Sequence, residues 1–179
     1  MDQPFTTHTA DLTAQELLAI CRLLDGAFPA DEAFTEQDHE HALGGVHAML
    51  WDGGELVAHG SVVMRRLLHD GRALRTGYVE AVAVRADRRR RGPGAAVMEA
   101  LERVIKGAYV LGALSASGMA GAFYASRGWQ VWQGTVSVVT PRGIERAEDE
   151  EGGIYIPPVS AGLTIGNDLA CDWRGREPW

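Results

Sequence analysis

Two turn signals, Asp52-Gly53-Gly54 and Asp70-Gly71, cut the stretch Val46–Val84 into three strands and constrain the fold more than any other feature of the chain. Asp-Gly pairs tolerate the positive φ that tight hairpins need, so Val46–Trp51, Glu55–Leu68 and Arg72–Val84 are predicted to be successive antiparallel strands. Before them, Pro4–Ala10 is expected as an edge strand. Thr13-Ala14-Gln15-Glu16 has the form of a capping box, followed at helical spacing by Leu17, Ile20, Cys21, Leu24 and Phe28, with Gly26 placed to end the helix. Thr35 is placed to cap a second, short helix that stops at Gly44-Gly45. Beyond the three strands, Val97, Met98, Leu101, Val104 and Ile105 define one apolar face of a helix over about Gly94–Lys106. The remainder reads as a short buried strand (Val110–Leu114), a small-residue helix (Ser117–Ser126), a strand from Trp129 to Trp132, and strands at Val136–Thr140 and Ile154–Ile156 flanking an acidic loop. The fold class is α/β: a mixed, mostly antiparallel sheet flanked by helices, expected as a single domain over residues 1–179.

Composition excludes several classes of function. Hydrophobic residues make up 46% and charged residues 23%, the balance of a globular domain. No apolar run approaches the roughly 18–20 residues of a membrane span, and the N-terminus lacks the basic start and apolar core of a signal peptide. Two cysteines, Cys21 and Cys171, make neither a disulfide framework nor a zinc site, so a reduced, cytoplasmic protein without metal is expected. The net charge is −7, yet Arg85, Arg88, Arg89, Arg90 and Arg91 crowd together ahead of Gly92-Pro93-Gly94. One basic loop on an acidic chain is a poor footprint for a nucleic acid. It suits one small anion, while the acids around Asp31–Glu40 and Glu145–Glu151 suit a cationic ligand.

The basic loop joins a strand ending at Val84 to a helix beginning near Gly94. Unpaired N–H groups at a helix N-terminus attract anions, glycines let the backbone approach them, and arginines add charge-assisted bonds. A Walker loop would end in Gly-Lys-Ser/Thr, and a dinucleotide fingerprint would need a third small residue where Val97 stands and an acid about 20 residues on. Both fail. The pattern Arg89-x-x-Gly92-x-Gly94 fits an acyl-CoA pyrophosphate loop, preceded by Val79-Glu80-Ala81-Val82-Ala83-Val84 and followed later by Phe123-Tyr124-Ala125-Ser126-Arg127-Gly128-Trp129. In this combination the chain resembles the GNAT superfamily of acetyl-CoA-dependent N-acetyltransferases.

Further stretches resemble one GNAT family, the aminoglycoside 2′-N-acetyltransferases: Gly44-Gly45-Val46-His47-Ala48, Gly77-Tyr78-Val79-Glu80, Gly107–Ser115, Tyr124–Trp129 and the closing Cys171-Asp172-Trp173-Arg174…Trp179. The resemblance implies a GNAT fold, acetyl-CoA as acetyl donor, aminoglycosides with a 2′-amine as acceptors, and a homodimer. Amide formation needs a base for the amine and an acid for the CoA thiolate. Glu80, in an apolar strand where burial raises a carboxyl pKa, is the candidate base, and Tyr124 the candidate acid. Backbone groups of Val82, Ala83 and Val84 are expected to hold the pantetheine arm, with an N–H near Val82 polarising the thioester carbonyl. Arg89, Arg90, Arg91, Gly92, Pro93 and Gly94 are expected to cradle the pyrophosphate, and Ser115 to lie near the cofactor. Pro93 removes one N–H from that cradle and shifts weight to the arginines.

For the acceptor the acidic segments offer Asp31, Asp38, Asp149 and Glu150 beside Glu80 and Ala81, and the resemblance implies that the carboxylate of Trp179 also reaches it. Whether Asp31 or Glu32 makes the first contact stays open, and Glu150 stands where the family pattern suggests Asp. Cys171 has no activating base in sequence reach, so direct transfer without an acyl-enzyme is expected. The rival readings are acetylation of another amine and a silent acyl-CoA-binding domain.

Overall fold

The computed structural model describes residues 3–28, 34–116, 118, 120–158, 163–175 and 178–179. The chain packs as two compact units, residues 1–63 with 79–107 and residues 64–78 with 108–179.

The first unit contains β1 (Phe5–His8), α1 (Ala14–Ala27), α2 (Glu36–His41), β2 (Val46–Asp52), the first part of β3 (Glu55–His69), the second part of β4 (Arg72–Val84) and α3 (Pro93–Ala108). Both capping boxes form: the side chains of Thr13 and Thr35 accept from the main chain of Glu16 and Asp38, whose carboxylates return the bond. Gly26 lies inside α1, which ends at Ala27, so a glycine open to solvent was no stop signal here. The hairpin turns form as expected, with φ of 61° and 83° at Gly53-Gly54 and 49° and 73° at Asp70-Gly71.

The sheet order in this unit is β1-β2-β3-β4, which leaves β4 at the edge. One face, through Met49, Leu56, Ala81 and Ala83, packs on Ile20, Leu23 and Leu24 of α1. The other carries α3: a Cβ at Gly60 would lie 2.9 Å from Leu101 Cδ1 and 3.2 Å from Val97 and Val82, so only glycine lets the helix settle there. Pro93 opens α3 at the first helical position, where the missing N–H breaks no intrahelical bond.

The second unit adds β5 (Leu111–Ser115), α4 (Ala120–Ser126), β6 (Gln130–Val131), β7 (Val136–Thr140), β8 (Gly143–Arg146), β9 (Ile154–Ile156) and β10 (Leu169–Asp172) to the remaining parts of β3 and β4. Its order is β6-β9-β5-β4-β3-β10-β7-β8, with β5 parallel to β4 over Thr76–Tyr78 and β10 parallel to β7. The expected acidic loop is partly ordered as β8 and a turn of 3-10 helix at Glu148–Glu150. Strand β10, absent from the sequence reading, has only four residues, three of them apolar, too few to show a period. Helix α4 begins at Ala120; Ser117, where it was expected to start, lies outside the described residues. Among the described residues no helix is long and apolar enough to cross a membrane.

Candidate active site

In the first unit the strand predicted to carry the chemistry breaks its own regularity. Ala81 has φ 52°, a left-handed conformation that costs a non-glycine residue on the order of 1–2 kcal/mol. Its methyl and that of Ala83 are buried against α1, so any contact these two residues make with a ligand is through the main chain. Glu80, Val82 and Val84 alternate with them and are half-buried. The edge position of β4 in this unit's sheet suits the backbone role expected of Val82, Ala83 and Val84.

A buried polar chain ends on the carbonyl of the left-handed Ala81. His59 Nδ1 lies 2.9 Å from the Ala81 carbonyl, His47 Nδ1 2.9 Å from His59 Nε2, and Thr9 Oγ1 2.8 Å from His47 Nε2. Register explains the pairing: His47 faces Ser61 and His59 faces Met49 across β2 and β3, so the two rings are diagonal neighbours on one face of the sheet. Burial pushes the His59 pKa down to about 3, helped by His47, and that of His47 down to about 4, helped by His8. Both rings are therefore neutral at neutral pH.

An acid sensitivity follows. The unfolded chain binds protons on these histidines below about pH 6.5 and the folded chain does not until near pH 4 or 3, so their stabilisation is complete above pH 6.5 and is lost as pH falls. A loss on the order of 3 kcal/mol between pH 6.5 and 4.5 is expected from urea midpoints. The variant His47→Asn/His59→Asn should show a distinctly flatter dependence, and equal slopes would refute the assignment.

The arginine cluster is divided by its surroundings. Arg85 pairs with Glu55 and Asp87, and Arg88 with Asp52 at 2.7 Å. Arg89, although exposed, donates to the carbonyls of Val84 at 3.2 Å and Ala27 at 2.7 Å, and so ties the loop to the ends of β4 and α1. Arg90 and Arg91 are exposed and have no ion-pair partner among the described residues. Gly92, at φ 100°, accepts the first bond of α3 from the Ala96 N–H at 3.0 Å. The loop therefore fits an anionic diphosphate through two outward guanidiniums, the early N–H groups of α3 and a glycine without a Cβ.

Asp38 is half-buried, and its Oδ2 already accepts from Thr35 N and Oγ1 at 2.7 Å each. Local capping thus accounts for much of its placement. Asp31 and Glu32 lie outside the described residues. Cys21 is half-buried and lies 3.9 Å from His39 Nδ1, at the margin of the α1 core rather than in it.

In the second unit Tyr124, on α4, is buried beside Phe123, Trp129 and Tyr155, and loss of hydration pushes its phenol up to about 12. It keeps its proton throughout the physiological range, as an acid must. Ser115, at the end of β5, points to Glu150 at 3.5 Å, so residues assigned separately to cofactor and acceptor meet; Asp149 beside them is exposed. Trp179 is docked, its indole N–H donating to the Ser137 carbonyl at 3.1 Å while Cys171 Sγ donates to the Pro178 carbonyl at 3.3 Å. Burial pushes the Cys171 thiol up to about 11, the opposite of what a nucleophile needs. The sequence reading did not single out His59, although it noted the stretch containing His47; the available signal was a lone histidine after the apolar run Leu56-Val57-Ala58.

Comparison with known proteins closes the assignment. Residues 8–132 match the Acetyltransferase (GNAT) domain family. An aminoglycoside 2′-N-acetyltransferase of Mycolicibacterium fortuitum is 47% identical over 176 residues, covering 96% of this chain and 89% of that protein. Among solved structures, an acyl-CoA N-acyltransferase from Pseudomonas aeruginosa superposes with a TM-score of 0.61 at 21% identity, over 86% of this chain and 97% of that one. A GNAT family acetyltransferase from Brucella melitensis in complex with acetyl-CoA gives 0.60 at 13% identity, over 95% and 96%. At such identities the structural likeness shows the fold, and the sequence relative is more specific. The chain belongs to the GNAT acetyltransferases and, within them, to the aminoglycoside 2′-N-acetyltransferase family.

Proposed function

We propose that this protein acetylates the 2′-amino group of aminoglycosides by direct transfer from acetyl-CoA. The observation that carries the reading is the 47% identity to an aminoglycoside 2′-N-acetyltransferase, which extends over 96% of the chain. Acetyl-CoA supplies the acyl group as an activated thioester. Glu80 takes the proton that the amine sheds as it forms the amide, and Tyr124 returns a proton to the departing sulfur. The Val82 N–H, just beyond the left-handed residue, donates to the acyl oxygen as charge develops there. Arg90, Arg91 and the start of α3 hold the pyrophosphate. Asp149 and Glu150 supply negative charge for a polycationic acceptor, with Asp38 and Trp179 as further contacts. The raised Cys171 thiol supports transfer without an acyl-enzyme. The reading includes a single acetyltransferase domain, a homodimer and a cytoplasmic location.

The test is release of CoA thiol with two aminoglycosides that differ only in a 2′-amine against a 2′-hydroxyl. Turnover of the amine alone is expected. Equal turnover of both would move the reaction to another amine, and turnover of neither would remove aminoglycosides as acceptors.

A further inference from the structure

The chain Thr9–His47–His59–Ala81 has one consistent direction. A carbonyl oxygen only accepts, so the hydrogen between His59 and Ala81 sits on His59 Nδ1. A neutral imidazole donates from one nitrogen, so His59 Nε2 accepts from His47 Nδ1. By the same rule His47 Nε2 accepts, and the donor is the Thr9 hydroxyl at 2.8 Å, nearer than the Gly45 carbonyl that the same hydroxyl reaches at 3.2 Å. The oxygen of Thr9 is fixed in turn by the N–H groups of Gly44 at 2.9 Å and Gly45 at 3.2 Å. Each group has its role set by the next, and the chain ends on the one non-glycine residue of β4 with positive φ.

The consequence lies on the other side of that peptide. The Ala81 carbonyl and the Val82 N–H belong to a single planar trans unit and point in opposite directions. Pulling the carbonyl towards His59 therefore aims the Val82 N–H away from the His59 ring. An alanine, unlike a glycine, does not hold a left-handed conformation without help. His59 is fully buried and His47 nearly so, which shields the bond to Ala81 from exchange with water.

We propose that Thr9, His47 and His59 are positioning residues for catalysis: they lock the Ala81–Val82 peptide so that the Val82 N–H is held on the acyl oxygen. The inference rests on the reading that Val82 polarises the thioester carbonyl. None of the three side chains is required to touch a substrate.

Two amide substitutions separate donor position from polarity. Asn places its amide near the Nδ1 position of histidine and Gln near Nε2, so His59→Asn restores a donor to Ala81 while His59→Gln does not. His59→Gln is expected to lose about 10- to 100-fold in kcat, with the KM of both substrates changed less than about threefold, because misplacement of a catalytic donor by about 1 Å has effects of that size. His59→Asn should retain kcat within about threefold of the wild type. His47→Leu, which keeps His59 but removes the donor to its Nε2, is the second variant should His59→Gln not fold, with an expected loss of about three- to tenfold in kcat.

The direct readout is the infrared carbonyl stretch of [1-13C]acetyl-CoA bound without acceptor. In the wild type the band should shift to lower frequency than in solution, and the shift should shrink in His59→Gln and His47→Leu but persist in His59→Asn. A shift that is present in the wild type and unchanged in His59→Gln and His47→Leu overturns the positioning role and leaves the Val82 reading intact. No shift in the wild type overturns the Val82 reading itself, and the proposal with it.

Discussion

Glu80→Gln is expected to lower kcat by about 10²- to 10⁴-fold, the range typical for removal of a general base. The substitution keeps shape and hydrogen-bonding capacity, so the fold and the half-buried setting between Val79 and Ala81 should survive. What disappears is the ability to accept a proton. The loop proposed to hold acyl-CoA lies further along the chain at Arg89–Gly94, so the KM for acetyl-CoA should stay within about threefold. The residual activity has its own signature. Without a base, only acceptor that is already deprotonated reacts, so the variant rate should climb with pH over a range where the wild type has levelled off. A loss below about threefold, or a variant with the wild-type pH profile, would assign the proton to another group.

Tyr124→Phe is the second large effect, expected to cost about 10²-fold in kcat/KM with acetyl-CoA. The ring is enclosed by Phe123, Trp129 and Tyr155, so removing one oxygen should leave the packing intact. The discriminating measurement uses a second donor, an S-acetyl arylthiol whose thiolate leaves unprotonated at neutral pH. An acid is not needed for that leaving group, and the ratio of wild type to variant should fall towards unity. Equal losses with both donors would make Tyr124 a packing residue. Its phenol, pushed up to about 12 by burial, keeps its proton below about pH 11, so neutral-pH assays see it in the donating form.

Both effects concern residues that the sequence singles out as candidates: Glu80 as an acid inside an apolar strand, and Tyr124 through its place in the motif that resembles the family's. The helix caps at Thr13 and Thr35, the two hairpin turns and the start of α3 were legible as well. Each depends on interactions within a few residues, which propensity and spacing encode directly. Beyond that range the reading thinned. Strand β10 joins β7 and β3 only because tertiary pairing completes a run of four residues, and the arginine cluster looked uniform until Glu55, Asp52 and the carbonyl of Ala27 were brought to it.

The sequence by itself determined the local scaffold, the strand–loop–helix that carries the Arg/Gly motif, and the family, because turn chemistry, helical periodicity and motif spacing are properties of neighbours along the chain. Only the tertiary structure decided that Ala81 is left-handed, that two of the loop arginines remain outward, and that histidines 12 residues apart meet beneath a carbonyl 22 residues further on. Those outcomes depend on strand register and on which groups are buried together. Buried polar groups then take the partners that register offers, since leaving them unpaired costs about 1–3 kcal/mol each.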